Sequence, residues 1–529
     1  MPEEAANTQP RTRIDWTIIA TVAALAIAAR AIPGERTIDD AYITFRYARN
    51  VADGVGFVYN PGEHVLGTTA PLFAGLMALL GFVTGSDAYP TFALVASALA
   101  DAATCALLYL LGRRLIGSRA TGAAVSLLWA VAPMSVTFAI GGMETSMFIL
   151  LMVLTWWLYV NGRERWAALA AALGVLTRPD AAAWAGLVFL HQLWGRFRAR
   201  GDKPFRQWLP WREWAIFGAA LLPWVIFATA YFGWPLPRSA GIKALTYVLA
   251  PGETLIRLVQ HFATPFFEYD AVGAAGTAAG MVLYPMLFAV GALRVVRGRE
   301  GGGRALPALL YPWAYAAVFA ATNMLIFRWY LAPPLPPYFL GIVAGAWVVA
   351  GGVASALRRA SMQGVIFAVF VAVWLGLSLN AWTLHPSHGP DRPAPEMAFI
   401  ELELRYEEAG RLLKEAYGVT ADTVVAAGDI GAVGFYSSAT IFDTIGLVTP
   451  GTTDYYPVDE HILVEGVNYA IPPALVLDEM PDFLVVVESY VRLGLMQDPA
   501  FTAAYGDPVE VLDIEIYEGH GMLIFQRAD

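Results

Sequence analysis

One cysteine stands in the 529 residues, Cys105, and it lies inside an apolar run. An intrachain disulfide is therefore excluded, and the redox compartment stays unread. Charge is scarce as well: 15% of residues are Asp, Glu, Lys or Arg, against about 25% in soluble proteins. Lysine is rarer still, with Lys203, Lys243 and Lys414 as three of 34 basic residues, a bias that fits a GC-rich bacterial genome. The formal charge is −10, the acids gather after residue 390, and no basic face stands out. A nucleic-acid partner, which needs such a face, is excluded. Zinc spacing is missing too, since His385 and His388 in "LHPSH" have no third ligand nearby. In "GDIGAVG" (428–434) the glycines are not spaced as in a dinucleotide fingerprint, and the stretch reads as a turn.

What is abundant is apolar. Hydrophobic residues make up 57% of the chain, and they come in runs near the ~20 residues that span lipid. The runs fall at about 15–32, 89–112, 119–139, 145–161, 165–178, 181–195, 214–232, 271–293, 305–327, 330–356 and 362–384. The expectation is a polytopic α-helical membrane protein with about eleven transmembrane helices. Seventeen tryptophans and 23 tyrosines suit interfacial belts. The run at 70–84 is short, follows a loop, and reads as an interfacial or re-entrant helix. Residues 1–14 read as a cytoplasmic tail before a retained anchor. Residues 15–385 read as the membrane domain, with a first external loop at 33–88.

Charge orients these spans. With a cytoplasmic N-terminus, nineteen basic residues fall in inside loops and nine on the outer side of the membrane domain, as the positive-inside rule requires. Residues 386–529 then lie outside the bacterial cytoplasmic membrane. That tail opens on a Pro-rich stretch, continues into an amphipathic helix within "EMAFIELELRYEEAGRLLKEAYG", and carries strands at "TVVAAG", "FLVVVES", "VEVLDIEIY" and "GMLIFQR". It is expected to be an extracytoplasmic α/β domain.

The outer basic residues are exceptions to the bias, and most sit in motifs. "TIDDAYITFRYARN" pairs Asp39 with Asp40 just beyond the first span. One of them suffices to cap a short helix beginning at Ala41, whereas ionisable groups beside a bilayer core usually carry function. Tyr42, Arg46 and Tyr47 fall about one turn away on one helical face and become cavity or acceptor candidates. Glu144 in "GGMET" either complements a helix dipole or lines a cavity. Arg178 in "TRPD", Arg238 and Lys243 in "PRSAGIK", and Arg328 in "FRWY" are outer cations. Each either snorkels at a helix end or meets an anion.

"DDAYITFRYARNVADGVGFVYNPGEHVLGTTAPLF" resembles the first external loop of the GT-C glycosyltransferases, which move sugars from polyprenyl-phosphate donors outside the membrane. Within them it is most similar to the mycobacterial terminal arabinofuranosyltransferases. "GGMETSMF", "LTRPDAAA", "RWYLAPPLPP" and "GDIGAVGFYSSATIFDTIGLVTP" extend the similarity over most of the chain. The resemblance implies a GT-C fold and an inverting transfer, with arabinofuranose as the sugar and an envelope glycan or glycolipid as acceptor. It implies a catalytic base in the first loop, so Asp39 and Asp40 are the candidates, with Asp39 the first choice. The second carboxylate then holds the acceptor, orients the first, or binds a metal. The leaving phosphate calls for cations: Arg328 and Lys243 first, with Arg238 and Arg178 behind them. Related sequences often read Pro-Asn where Pro237-Arg238 stands here. No cofactor motif is visible, and the need for a divalent metal is left open. A GT-C mannosyl or hexosyl transferase acting on protein or lipid is the alternative within the class. A lipid or polysaccharide transporter without chemistry is the alternative outside it.

Overall fold

The computed structural model of the chain describes residues 12–237, 239–298, 301–384, 392–397 and 400–528. The helical part begins with α1 (Arg13–Ala31), α2 (Asp39–Ala52), α3 (Pro71–Thr84), α4 (Tyr89–Ile116), α5 (Arg119–Val131) and α6 (Pro133–Ile140). It continues with α7 (Thr145–Val160), α8 (Glu164–Thr177), α9 (Ala181–Arg198), the single turn α10 (Phe205–Trp208) and α11 (Trp211–Phe232). Then follow α12 (Ser239–Thr246), α13 (Glu253–Ala263), α14 (Tyr269–Val296), α15 (Leu306–Thr322), α16 (Leu335–Ala356) and α17 (Met362–Asn380).

Each of the eleven apolar runs contains a helix, and the run at 119–139 contains two, α5 and α6. Among the described residues, seven of these helices are long and apolar enough to cross a membrane, and α5 with α6 adds an eighth as a bent pair. That pair turns by 48° where Pro133 disfavours helical backbone at Ala132. The others are short or carry charge: α7 has 16 residues, α8 has 14, and α9 ends on Arg196 and Arg198. The run at 70–84 is the 14-residue α3, which exposes Leu79, Phe82 and Val83.

Charge pairs divide the helix ends into two faces. On one face Asp15 meets Arg113 at 3.0 Å and Arg119 at 2.9 Å, pinning the start of α1 to the end of α4 and the start of α5. Glu164 meets Arg196 at 2.8 Å and Arg304 at 3.2 Å on the same face. Between the faces, fully buried Arg30 donates its Nε to Asp101 at 3.0 Å, and Ser146 donates to the same carboxylate at 3.0 Å. Asp101 is thus a packing residue of the bundle. A buried ion pair of this kind persists because neither charge is left alone. The first loop and the C-terminal domain occupy the second face.

After α17 the chain forms an antiparallel pair, β1 (Trp382–Leu384) with β2 (Pro393–Pro395), whose prolines are tolerated at an edge. The α/β domain then runs α18 (Ile400–Glu415), β3 (Val424–Ala427), α19 (Gly431–Ser437), β4 (Thr440–Asp443), α20 (Pro473–Glu479), β5 (Phe483–Val487), α21 (Pro499–Tyr505), β6 (Glu510–Leu512) and β7 (Met522–Gln526). Its sheet has the order β4-β3-β5-β7-β6, parallel at one side and antiparallel at the other. β5 is buried along its whole length, which its unbroken "FLVVV" requires, because a central strand covered on both faces has no polar side.

Candidate active site

The site begins at the acidic pair. Asp39 is the first residue of α2, Ile38 is its N-cap, and neither acid caps α2 with its side chain. The expectation of an Asp cap on a helix from Ala41 is corrected here. Asp39 instead reaches across to α19, taking the backbone N–H of Gly431 at 3.0 Å and of Ala432 at 2.6 Å. These are the first donors of α19, which have no partner within their own helix. In return Glu403, on α18, accepts the backbone N–H of Asp39. Each domain thereby caps a helix of the other. Glycine is required at 431, since a Cβ there would come within 1.8 Å of the Asp39 carbonyl oxygen. Burial and the neighbouring Asp429 and Asp40 push the Asp39 carboxyl up to about 8, against the pull of the two N–H donors.

Three cavity candidates prove to belong to this junction. Arg46 is 3% exposed and donates to the carbonyls of Tyr59 (2.9 Å), Gly434 (2.7 Å) and Ala439 (2.6 Å), and to Asn60 (3.2 Å). Its guanidinium is consumed by backbone acceptors, two of them from the C-terminal domain. Tyr42 shares a hydrogen bond with Tyr436 at 2.9 Å, and the Tyr47 hydroxyl donates to Val65 at 2.6 Å. None of the three lines either cavity of the site. Helical spacing placed them correctly on one element, but the face they share is covered by the α/β domain.

Two chambers lie beside the pair. The larger, about 400 Å³, is lined by Asp39, Asp40, Arg257, Arg328, Trp329, Glu403, Tyr406, Asp429 and further tyrosines. The smaller, about 330 Å³, is lined by Asp40, Thr44, Thr68, Thr69, Glu144, Arg178, Asp180, Trp329 and apolar residues of the helix ends. Asp40, Leu325 and Trp329 line both. Asp39 is the latch and Asp40 stands at the wall between two compartments. Adjacent residues on a helix point about 100° apart, so the two carboxylates separate in this way.

The cations divide between the chambers. Arg328 is exposed and borders the larger one together with half-buried Arg257, which pairs with Glu253 at 2.5 Å. Deeper in the chamber Glu403 and Tyr406 are buried, and the Tyr406 hydroxyl donates to Asp429. The charge therefore grades from arginines at the outer side to acids and phenols within. Arg178 borders the smaller chamber. It is held by Asp180 through two 3.0 Å bonds and lies 3.5 Å from Glu144. Arg238 and the Lys243 side chain lie outside the described residues. Among the described residues no group of three or more His, Cys, Asp or Glu is arranged to hold a metal ion.

Sequence reasoning passed over Glu403, Asp429 and Trp329. A signal existed for the first: Glu403 falls on the buried stripe of α18 with Tyr406, Gly410 and Leu413, and an acid on an apolar stripe departs from the amphipathic pattern.

The fold has solved counterparts. The ArnT structure from Cupriavidus metallidurans bound to undecaprenyl phosphate aligns over 97% of this chain and 98% of its own, at 13% identity and a TM-score of 0.53. The apo ArnT structure from the same organism aligns over 96% and 97%, at 13% identity and a TM-score of 0.54. The chain has the GT-C fold. The GT-C fold here includes the α/β domain, because the alignment runs through both parts. The arabinosyltransferase EmbB from Mycobacterium smegmatis aligns over 72% of this chain and 43% of its own, at 14% identity and a TM-score of 0.34. Residues 397–518 match a family model described as a domain of unknown function (DUF8728). No curated protein matches the sequence.

Proposed function

We propose that this protein is an inverting glycosyltransferase that takes a sugar from a polyprenyl-phosphate donor. Arabinofuranose is the proposed sugar and a cell-envelope glycan or glycolipid the acceptor. The observation that carries the reading is the shared wall: Asp40 and Trp329 border both chambers, so a carboxylate sits where two substrates would meet. ArnT, which has the same fold, has been solved with undecaprenyl phosphate bound.

The larger chamber suits the donor head group. Arg328 and Arg257 offer positive charge at its outer side, where a lipid-linked phosphate would sit, and arginine forks match phosphate oxygens. The tyrosines beyond suit a sugar ring. The smaller chamber suits the acceptor, since its one arginine is already matched by Asp180 and Glu144 and its threonines offer hydroxyl partners. In the reaction an acceptor hydroxyl attacks the anomeric carbon from the face opposite the phosphate. The new C–O bond forms as the bond to the phosphate oxygen breaks, and that oxygen keeps the electron pair. The acceptor proton passes to Asp40 as the bond forms, because a carboxylate is too weak a base to remove it beforehand. The arginines stabilise the charge left on the polyprenyl phosphate.

The test is turnover by the purified chain in lipid vesicles, offered undecaprenyl-phosphoryl arabinofuranose or mannose and an arabinofuranosyl oligosaccharide. Transfer of arabinose with inversion is expected. Transfer of mannose in its place would replace the sugar assignment, and no transfer of either by folded protein would overturn the enzymatic reading.

A further inference from the structure

The mechanism above leaves Glu403 without a task beyond its contact with the Asp39 N–H. That residue is 9% exposed, lines the larger chamber from the C-terminal domain, and has a second carboxyl oxygen, Oε2, that is buried with no hydrogen-bond partner among the described residues. A buried polar atom in this state costs about 1–3 kcal/mol unless something fills the role of partner. Glycine, alanine or leucine would avoid that cost on the apolar stripe of α18. The orphaned oxygen therefore points to a partner that is absent when the chamber is empty.

We infer that Glu403 is a binding residue for the donor sugar, its carboxyl making a hydrogen bond to the sugar's ring oxygen or hydroxyls. This rests on the glycosyltransferase reading and deepens it. Three features converge on it. The Glu403 side chain lines the chamber that also holds Arg328 and Arg257, so a phosphate held by the arginines leaves its sugar among the buried acids and phenols. The carboxyl is kept protonated by burial and by the facing Asp39, Asp40 and Asp429, which together drive its pKa well above the usual carboxylate range. The side chain is buried with the Asp39 N–H beside its carboxyl, so it is ordered before substrate arrives, which spares the entropy of ordering it on binding. The α/β domain would then select the sugar rather than only cover the site.

The experiment compares two ligands and two variants of the full-length chain in vesicles. Undecaprenyl phosphate probes the phosphate contacts alone, and undecaprenyl-phosphoryl arabinofuranose adds the sugar. Glu403→Leu should leave the Kd for undecaprenyl phosphate unchanged and weaken the sugar-bearing ligand about 10-fold or more, the loss of one hydrogen bond to a buried group. Glu403→Gln, whose amide still accepts from Asp39 and still donates, should stay near the wild-type value for both. Infrared difference spectra at neutral pH should show the carbonyl stretch of a protonated carboxyl that disappears in Glu403→Gln. Equal weakening of both ligands in the leucine variant would assign Glu403 to the fold, and an unchanged affinity for the sugar-bearing ligand would overturn the inference. If wild-type protein binds neither ligand, it is the glycosyltransferase reading that fails.

Discussion

At the scale of single residues, the adjacent acids have opposite environments and should give opposite phenotypes. Asp40 borders both chambers, so Asp40→Asn should cost about 10²–10⁴-fold in kcat, the range for loss of a positioned general base. Its Kd for undecaprenyl phosphate and its melting temperature should stay unchanged. Asp39→Ala should instead destabilise the chain, because two buried N–H groups of α19 lose their acceptor, at about 1–3 kcal/mol. A melting curve in detergent reads this directly. The same side chain should write a pH dependence. Its carboxyl titrates near 8 when folded against an ordinary value of 3.8, so the folded chain holds a proton that the unfolded chain releases between those values. Stability from this group is present in full below pH 3.8 and is lost as pH rises through about 8. In Asp39→Asn that slope should flatten. It should not vanish, since Glu403 titrates upward in the same surroundings.

At the scale of elements, the decisive unit is the α2–α19 junction. Gly434 allows Arg46 and the Tyr59 hydroxyl to approach the backbone of α19, and a Cβ there would stand 2.0 Å from that hydroxyl. Gly434→Ala should therefore push α19 off α2 and lower the melting temperature in detergent. Arg46→Met should do so more strongly, leaving several buried carbonyls without a donor, each worth about 1–3 kcal/mol. Arg46→Lys should not rescue it, because an ammonium cannot reproduce the planar fork that serves Tyr59, Gly434 and Ala439 together. Sequence patterning made the elements of this junction legible and its contacts illegible. Apolar periodicity located all eleven runs, α18 and the strands β3, β5, β6 and β7. It missed β4, because "TIFD" has four residues and follows a turn, and it missed the β1–β2 pair, because two prolines in five residues read as a linker. The acidic pair was legible as a candidate site because carboxylates at the mouth of a span are unusual. Which acid does what was not, since Asp39 finds its partners 392 and 393 residues away, and no local pattern encodes that separation.

At the scale of the whole molecule, the ion pairs sort the chain into two faces, and that sorting makes the membrane orientation testable. Asp15 with Arg113 and Arg119, and Glu164 with Arg196 and Arg304, hold one set of helix ends together. The first loop, Glu144, Arg178 and the α/β domain occupy the other. The basic residues are concentrated on the first face, so the orientation we propose puts that face in the cytoplasm and both chambers on the outer side. A polyprenyl-phosphate sugar would then be consumed outside the membrane, where no nucleotide-sugar is available to compete. The single native cysteine is buried, which gives a background of low reactivity for labelling. Cysteines placed at exposed Asp87 and Glu460 should react with a membrane-impermeant maleimide in intact cells, and cysteines at exposed Arg165 and Lys203 should react only after permeabilisation. The reverse pattern would put both chambers in the cytoplasm and remove the reason for a lipid-linked donor, while labelling of all four in intact cells would break the two-faced arrangement itself. Because one rigid latch ties the acidic pair to the α/β domain, residues 87 and 460 must report the same side. A split between them would mean that the junction built by Asp39 and Arg46 does not form in the membrane.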